Sequence, residues 1–311
     1  MFTAHLPLLK AIGSDPRWIM DISKKNADTA AKAFHIPMSL SPDELDKITA
    51  TDIVMLACPY GTRKPYYDFL KNKEAALYIE KPVARSLREH REINSLREDY
   101  AICSGLLRRS MGITNIVKGL IEDRPFGELR SVRSHFGTAT QTSSGAGFAK
   151  NVALAGGGQL FESAIHNIDA ICYMANIEQA HVVKKDMVHE NGFDLHTEAT
   201  IELVNGQGRS IEMQLLVTCF YSVGFDIEMQ FDHASLTFSL FDYKVPELRA
   251  GKGGKGYKIT DSLLEDYPRN QYDVMYVFWK DFFTALDSRT PNYTNLCATE
   301  ATTRIIEQLY E

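Results

Sequence analysis

The sequence lacks several features that would point to particular classes of protein. Its 311 residues carry 34 Lys and Arg against 40 Asp and Glu, a formal net charge of −6, so there is no basic excess of the kind that binds nucleic acid. No apolar run approaches the ~20 residues needed to span a membrane. The first residues show neither a basic segment nor a small-residue cleavage site, so no signal peptide is predicted. We therefore expect a cytoplasmic protein without nucleic-acid or membrane partners.

Cysteine is sparse and scattered. The five cysteines stand far apart, and no two of them form a C-x-x-C pair. This spacing is typical of reduced core thiols in a cytoplasmic protein rather than of a disulfide framework or a zinc site. The H-E-x-x-H order is also absent, so no metal site is predicted. The cysteines are Cys58, Cys103, Cys172, Cys219 and Cys297.

The first third of the chain alternates strand-like and helix-like segments. DIVMLA at 52–57 and LYIE at 77–80 are apolar runs typical of strands buried on both faces. Helix-forming segments accompany them, with Asn26 and Ser86 as predicted N-caps. The alternation predicts a doubly wound, Rossmann-like parallel sheet over 1–107, with helices on both faces. Ligands of such folds bind outside the carboxyl ends of the strands.

The pattern changes after about Gly127. Strand-like segments with period-2 alternation follow one another closely, and NGQG at 205–208 predicts a hairpin turn. One helical segment, at about 159–174, interrupts them, and the C-terminus is again helical. These features predict an α+β domain over 108–311 with a large, mostly antiparallel open sheet.

Two polar stretches stand out against this background. LYIEKP at 77–82 ends a predicted buried strand in Glu80, Lys81 and Pro82, at the edge where ligands bind. AGGGQLFESAIHNIDAICYM at 155–174 leads from three glycines into a helix where Glu162 and His166 share a face. A carboxylate beside an imidazole raises its basicity and suits general acid–base catalysis. Each stretch alone is also compatible with ordinary structure, a strand end or a polar helix edge.

Together the two stretches resemble the Gfo/Idh/MocA family of NAD(P)-dependent oxidoreductases. In that family E-K-P closes a strand, and GGG-x-x-x-[DE]-x-x-x-H-x-x-D follows, here about 75 residues later. The resemblance covers nearly the whole chain and implies a homo-oligomer formed through the sheet of the second domain. Further similar segments are His5-Leu6-Pro7, Ala57-Cys58-Pro59 and FGELRSVRSHF at 126–136.

The resemblance implies a mechanism. A hydride passes between NAD or NADP and a carbon that bears a hydroxyl or carbonyl on a sugar, nucleotide sugar or cyclitol. His166 would exchange the proton at that oxygen, and Lys81 would hydrogen-bond the same oxygen and stabilise its charge. Glu162, where the family more often has Asp, would orient or tune the pair. The resemblance also implies a cis peptide before Pro82.

The implied cofactor contacts begin with Asp21, which would accept from a ribose 2′-hydroxyl and favour NAD. Asp21 can instead cap the next helix. The lysines at 24 and 25 could accept a 2′-phosphate, so the choice between NAD and NADP stays open. The remaining implied cofactor contacts are Cys58, Pro59, Tyr60, Glu80 and Lys81, although a loop tyrosine is equally compatible with packing.

The implied substrate contacts are Lys81, His166, Asp169 and Arg109. Asp169 is equally compatible with a role in local structure, and Arg109 can pair with an acid outside the cleft. Arg63 stands where the family often has His, and is either a substitute contact or a surface charge.

One feature of the family is missing. Its fold begins with a strand and G-x-G-x-x-G, whereas Met1 already lies beyond the position of that loop. GKGGKG at 251–256 matches the pattern, but an extended segment follows it instead of a helix, so we interpret it as a loop. Two alternatives follow. Either the sequence is trimmed and the protein is an ordinary dehydrogenase, or it is a cofactor-free relative. Such a relative would be a binding or scaffold protein, or an acid–base enzyme using Lys81 and His166.

Overall fold

The structure is a computed structural model that describes residues 2–48, 51–139, 147, 151–241, 247–250, 256–258 and 270–311. In the part of the chain so described, no helix is long and apolar enough to cross a membrane.

The first part of the chain contains the predicted parallel strands, divided into two sheets. One sheet pairs β1 with β2, and the other has the order β3-β4-β5. Within the described residues β1 pairs only with β2, and β3 only with β4, so both β1 and β3 are edge strands. In the order 3-2-1-4-5-6 the family's first strand would lie between them. The strands are β1 (Trp18–Met20), β2 (Met38–Leu40), β3 (Ile53–Leu56), β4 (Ala76–Ile79) and β5 (Ile102–Ser104).

Helices connect these strands, as the alternation predicts. Ser86 caps one of them by accepting a hydrogen bond from the Glu89 backbone. The predicted cap Asn26 is wrong by three residues, because the Ser23 side chain accepts from the backbone N–H of Asn26 and starts the helix earlier. The helices are α1 (Phe2–Ala11), α2 (Lys24–Phe34), α3 (Lys64–Leu70) and α4 (Leu87–Asn94).

The second part is built on an eight-stranded open sheet in the order β13-β12-β11-β10-β6-β9-β8-β7. Only the β6–β9 pair among these is parallel, so the predicted mostly antiparallel sheet is confirmed. The predicted loop at 251–256 lies outside the described residues except for Gly256. The strands are β6 (Leu129–Gly137), β7 (Ile177–Glu190), β8 (Phe193–Asn205), β9 (Ser210–Thr218), β10 (Asp226–Phe231), β11 (Ala234–Ser239), β12 (Glu247–Ala250) and β13 (Gly256–Lys258).

Helices of the second part cover one face of this sheet and also return to the first part. The main apolar core lies between the sheet and the helices α5, α7 and α9. Tyr78 of β4 stacks on Trp279 of α8, with ring centroids 5.0 Å apart. His90 of α4 bonds Thr303 Oγ1 of α9 at 2.7 Å, so both C-terminal helices hold the first part in place. The helices are α5 (Gly112–Asp123), α6 (Val152–Ala155), α7 (Ile165–Met174), α8 (Gln271–Ser288) and α9 (Leu296–Tyr310).

Candidate active site

A cleft of about 600 Å³ lies where the carboxyl end of β4 faces the start of the α7 region. The first part of the chain contributes residues that follow β3 and β4, the position where ligands of parallel sheets bind. The second part contributes the triple-glycine turn and the β7–β8 hairpin. Of the predicted site residues, those that line the cleft are Cys58, Pro59, Tyr60, Glu80, Lys81 and Glu162.

Lys81 leaves the fully buried strand β4 directly into this cleft. The peptide bond between Lys81 and Pro82 is cis, as the resemblance implied. The ammonium donates a hydrogen bond to the backbone carbonyl of Glu162, which joins the two sides of the cleft. Burial lowers the pKa of Lys81, and the Arg63 cation adds to this effect, while the charges of Glu80 and Glu162 oppose it. The side chain is therefore a cation that loses its proton more readily than an exposed lysine.

Glu80 is buried behind Lys81 and is held by three donors or cations. Its carboxylate accepts from the Tyr78 hydroxyl at 2.7 Å and from the Lys81 backbone at 3.1 Å, and it lies 3.4 Å from His5 Nε2. Burial alone would raise the pKa of Glu80, but the bonds from His5 and Tyr78 outweigh it and lower that pKa. Glu80 is thus a fixed anion at the strand end.

His166 lies on the first turn of α7, and its Nδ1 atom is buried without a hydrogen-bond partner among the described residues. Burial lowers the pKa of His166 well below its ordinary value of 6.5, and the nearby charges of Lys81 and Arg108 lower it further. The imidazole is consequently neutral at pH 7, the form that accepts a proton.

Glu162 does not raise the basicity of His166, contrary to our expectation from their spacing. The residues Leu160–Ala164 form a π-helical turn, in which the neighbour relations of an α-helix do not hold. The exposed Glu162 carboxylate instead acts on Lys81, whose pKa it raises. Sequence periodicity could not reveal this, because it assumes a regular helix.

Arg109 and Asp169 are brought together, but as a buried ion pair. Asp169 is 0% exposed, and its two oxygens accept from Arg109 Nε at 2.9 Å and Nη2 at 2.7 Å. Thr302 Oγ1 donates to the same carboxylate, and Arg109 also donates to the carbonyls of Tyr293 and Ala298. This corrects the expectation that both bind substrate, because their polar atoms are engaged with each other and with α9.

Asp21 and Tyr60 also have protein partners. Asp21 accepts at 2.8 Å from the backbone N–H of Ser23, the residue that caps α2, so it holds the turn before the helix without being the cap, and it lies outside the set of residues lining the cleft. The Tyr60 hydroxyl donates to Glu89 at 2.7 Å while its ring packs beside Gly156. The contacts of Tyr60 agree with the structural alternative for that residue.

One residue with a part in the site was missed from the sequence. Asp194, on β8, lines the cleft and accepts from the backbones of Gly158 at 2.7 Å and Leu160 at 2.8 Å. It also accepts from the Tyr310 hydroxyl, so it caps the helical segment that carries Glu162. No local pattern marks Asp194, since its partners lie far away in sequence. Arg63 was predicted as either a substitute contact or a surface charge, and it is buried at the edge of the cleft rather than exposed.

Two family models match this chain. Residues 2–101 match a model described as an oxidoreductase family with an NAD-binding Rossmann fold, and residues 115–236 match the GFO/IDH/MocA C-terminal domain. The fold and these matches place the chain among dehydrogenase- and reductase-like proteins. It belongs to the Gfo/Idh/MocA family of oxidoreductases.

Individual relatives agree with this assignment. The chain is 28% identical over 136 residues to glucose-6-phosphate 3-dehydrogenase of Bacillus subtilis (strain 168), a match that spans 43% of this chain and 38% of that relative's length. Its fold is similar to levoglucosan dehydrogenase in complex with NADH and levoglucosan, with a TM-score of 0.81, 15% identity and coverage of 98% and 92% of the two chains. It is also similar to a 3-ketoreductase from Actinomadura kijaniata in complex with NADP and TDP-benzene, with a TM-score of 0.78, 14% identity and coverage of 98% and 91%. The TM-scores of the two solved structures show a shared fold.

Proposed function

We propose that this protein transfers a hydride between a nicotinamide cofactor and a hydroxyl or carbonyl carbon of a sugar, nucleotide sugar or cyclitol. The observation that carries this proposal is that Lys81, which lines the cleft and donates to the Glu162 carbonyl, lies near enough to the buried His166 for its charge to lower the pKa of that imidazole. The cofactor, when bound, accepts or supplies the hydride. The names of the relatives, a sugar-phosphate dehydrogenase, an anhydrosugar dehydrogenase and a 3-ketoreductase, support a sugar-like substrate.

The residues of this chain fit that chemistry. A buried imidazole nitrogen without a protein partner is costly unless a ligand or water satisfies it, and a substrate hydroxyl is a suitable partner. In the oxidative direction the hydroxyl proton passes to an imidazole nitrogen of His166. Lys81 donates a hydrogen bond to the same oxygen and stabilises the negative charge that develops on it. In the reductive direction His166 returns the proton.

The two sides of the cleft have different roles in this proposal. Cys58, Pro59 and Tyr60, with the strand end at Glu80 and Lys81, would hold the nicotinamide half of the cofactor. On the other side Glu190 and Asn191 present carboxylate and amide oxygens, which accept hydrogen bonds from substrate hydroxyls. NAD and NADP both satisfy these observations.

The organisation of the protein completes the proposal. We assign 1–107 to cofactor binding and 108–311 to substrate binding and oligomerisation. The second sheet would form a homo-oligomer through its open face, and we place the enzyme in the cytoplasm.

A second candidate function is a cofactor-free one. In the part of the chain that the structure describes, no strand pairs with the outer edges of β1 and β3. This favours the cofactor-free function, because dinucleotides bind in such folds beside the strand that would lie between them. The protein would then use Lys81 and His166 for acid–base chemistry alone, or act as a binding or scaffold protein.

The test is turnover of a panel of sugars, sugar phosphates and cyclitols with NAD⁺ and with NADP⁺, followed by the absorbance of the reduced nicotinamide. The proposal predicts turnover of at least one polyol. It also predicts that K81M and H166N each lower kcat by about 100-fold or more. Equal turnover by the variants and the unaltered protein would refute the assigned roles.

A further inference from the structure

Arg63, the residue before α3, extends its side chain beneath the loop that carries Lys81. It is 2% exposed. Its Nη1 donates to the backbone carbonyls of Glu80 and Pro82, both at 2.6 Å, and its Nε donates to the carbonyl of Cys58 at 3.0 Å. Glu80 and Pro82 are the residues immediately before and after Lys81. One guanidinium therefore holds the backbone on both sides of Lys81 and ties it to the loop after β3.

We propose that Arg63 is a positioning residue that sets the direction in which Lys81 projects into the cleft. This inference rests on the proposed function, because it assumes that Lys81 meets the substrate oxygen. Arg63 itself does not touch the reacting atoms. It acts by fixing the backbone from which the Lys81 side chain departs.

The chemistry of arginine explains why this residue type suits the position. Its planar guanidinium carries donors in a fixed fork, so three carbonyls can be held at defined angles at once. The carbonyl oxygens in turn stabilise a positive charge that is otherwise costly to bury. A displacement of about 1 Å at a catalytic group can lower a rate by about 100-fold, so a clamp at the strand end has kinetic consequences.

The charge of Arg63 has a second, separable effect on Lys81. The charges that act on the pKa of Lys81 are those of Glu80, Glu162 and Arg63, and Lys81 in turn acts on His166. Glu190 and Asp194 also line the cleft, on the side opposite Lys81. Of these, Arg63 lowers the pKa of Lys81, after the larger effect of burial. Removal of the cation should therefore raise the pKa of Lys81, whereas a lysine at position 63 should preserve it.

The chain offers a matched control in Arg97. Arg97 Nε donates to the carbonyl of Ala75 at 2.5 Å, and Nη2 donates to that of Leu70 at 2.9 Å. Ala75 immediately precedes β4, so Arg97 clamps the amino end of the same strand whose carboxyl end Arg63 clamps. If Arg63 only held the strand in place, substitutions at positions 63 and 97 would have similar effects on the pKa of Lys81 and on kcat.

The experiment compares R63Q, R63K, R97Q and R97K in the full 311-residue chain. The pKa of Lys81 is followed by NMR after ¹³C-methylation of lysines, with the Lys81 signal identified by its loss in K81M. Unmodified samples give kcat and KM. We expect R63Q to raise the pKa of Lys81 and lower kcat about 10- to 100-fold, with KM changed less than about 2-fold. R63K should keep the pKa and lower kcat about 10-fold, and the Arg97 variants should change neither.

The outcomes separate this inference from the proposed function. If the protein turns over none of the substrates, the proposed function is contradicted. The titration of Lys81 would still decide whether Arg63 acts on Lys81 more than Arg97 does. Identical Lys81 pKa values in R63Q and R97Q, or equal kcat values in R63K and R97K, would overturn the role of Arg63. If R63Q does not fold, the comparison of R63K with R97K decides alone.

Discussion

Among single residues, burial is the main cause of the altered pKa values of both Lys81 and His166. Each loses water when it enters the interior, and the charge of Lys81 further lowers the pKa of His166. A lysine with a lowered pKa in a cleft, near a buried histidine whose pKa is also lowered, is typical of acid–base sites rather than of surface charge pairs. Motif and residue type singled out these two positions, and their catalytic roles stay a prediction.

The lowered pKa of His166 predicts how stability depends on pH. Below about 6.5 the unfolded chain binds a proton at His166, while the folded protein stays neutral there until a much lower pH. The free energy of unfolding should therefore fall as the pH falls through this window. H166Q should make the free energy of unfolding depend less steeply on pH. Some dependence should remain, because burial also lowers the pKa of His90. Urea unfolding at several pH values measures this dependence. Equal slopes of the free energy of unfolding against pH for H166Q and the unaltered protein would contradict the prediction.

The buried pair of Arg109 and Asp169 gives a second prediction at the residue scale. D169N leaves the guanidinium without its anion, so we expect a loss of about 3–5 kcal/mol in the free energy of unfolding. KM should stay unchanged, since the carboxylate faces Arg109 and Thr302. A large rise in KM with little loss of stability would restore Asp169 as a substrate contact.

At the scale of secondary structure, the sequence was informative where a pattern repeats. Apolar runs predicted the strands β3 and β4, of which β4 is buried throughout while β3 alternates between half-buried and buried residues, and alternation predicted the open sheet. The π-helical turn at Leu160–Ala164 could not be predicted, because it depends on the cap from Asp194 and on the tertiary contacts of the cleft. Its consequence is that Glu162 acts on Lys81 rather than on His166.

The triple-glycine turn gives a prediction for this element. A Cβ on Gly158 would lie 2.7 Å from the Asp194 backbone nitrogen and closer still to its carbonyl oxygen. G158A should therefore destabilise the protein by about 1–3 kcal/mol and lower activity. Gly119 on α5 is the control, since its Cβ would meet nothing within 4 Å, and G119A should stabilise by about 0.5–1 kcal/mol. Thermal unfolding of both variants tests this contrast. Equal shifts in melting temperature for G158A and G119A would contradict it.

At the scale of the whole molecule, the C-terminal helices connect the site to distant parts of the chain. Tyr310, on the last turn of α9, donates to Asp194, which caps the turn leading to Glu162. Two further hydrogen bonds connect the C-terminal helices to the first part of the chain: Thr303 of α9 bonds His90, and Trp279 of α8 donates to His5. Such contacts over more than 100 residues leave no local signal, so sequence analysis predicted the helices but not their role in supporting the cleft.

Tyr310 provides a prediction at this scale. Y310F removes one donor from the buried Asp194, whose pKa burial already raises, so we expect a loss of about 1 kcal/mol in stability. Because the cap is weakened, kcat should also fall. Y272F removes a hydroxyl from an exposed tyrosine of α8 and should change stability by less than about 0.5 kcal/mol. Equal melting temperatures for the two variants would contradict the long-range role of Tyr310.

The measurement that tests the central claim most directly is the binding of NADH and NADPH to the 311-residue chain, by calorimetry or by quenching of tryptophan fluorescence. The account predicts saturable binding in the micromolar range for at least one of them, and weaker binding to K81M, because Lys81 lines the cleft. Absence of binding to a chain shown to be folded would contradict a nicotinamide-dependent function for this polypeptide and favour the cofactor-free alternative.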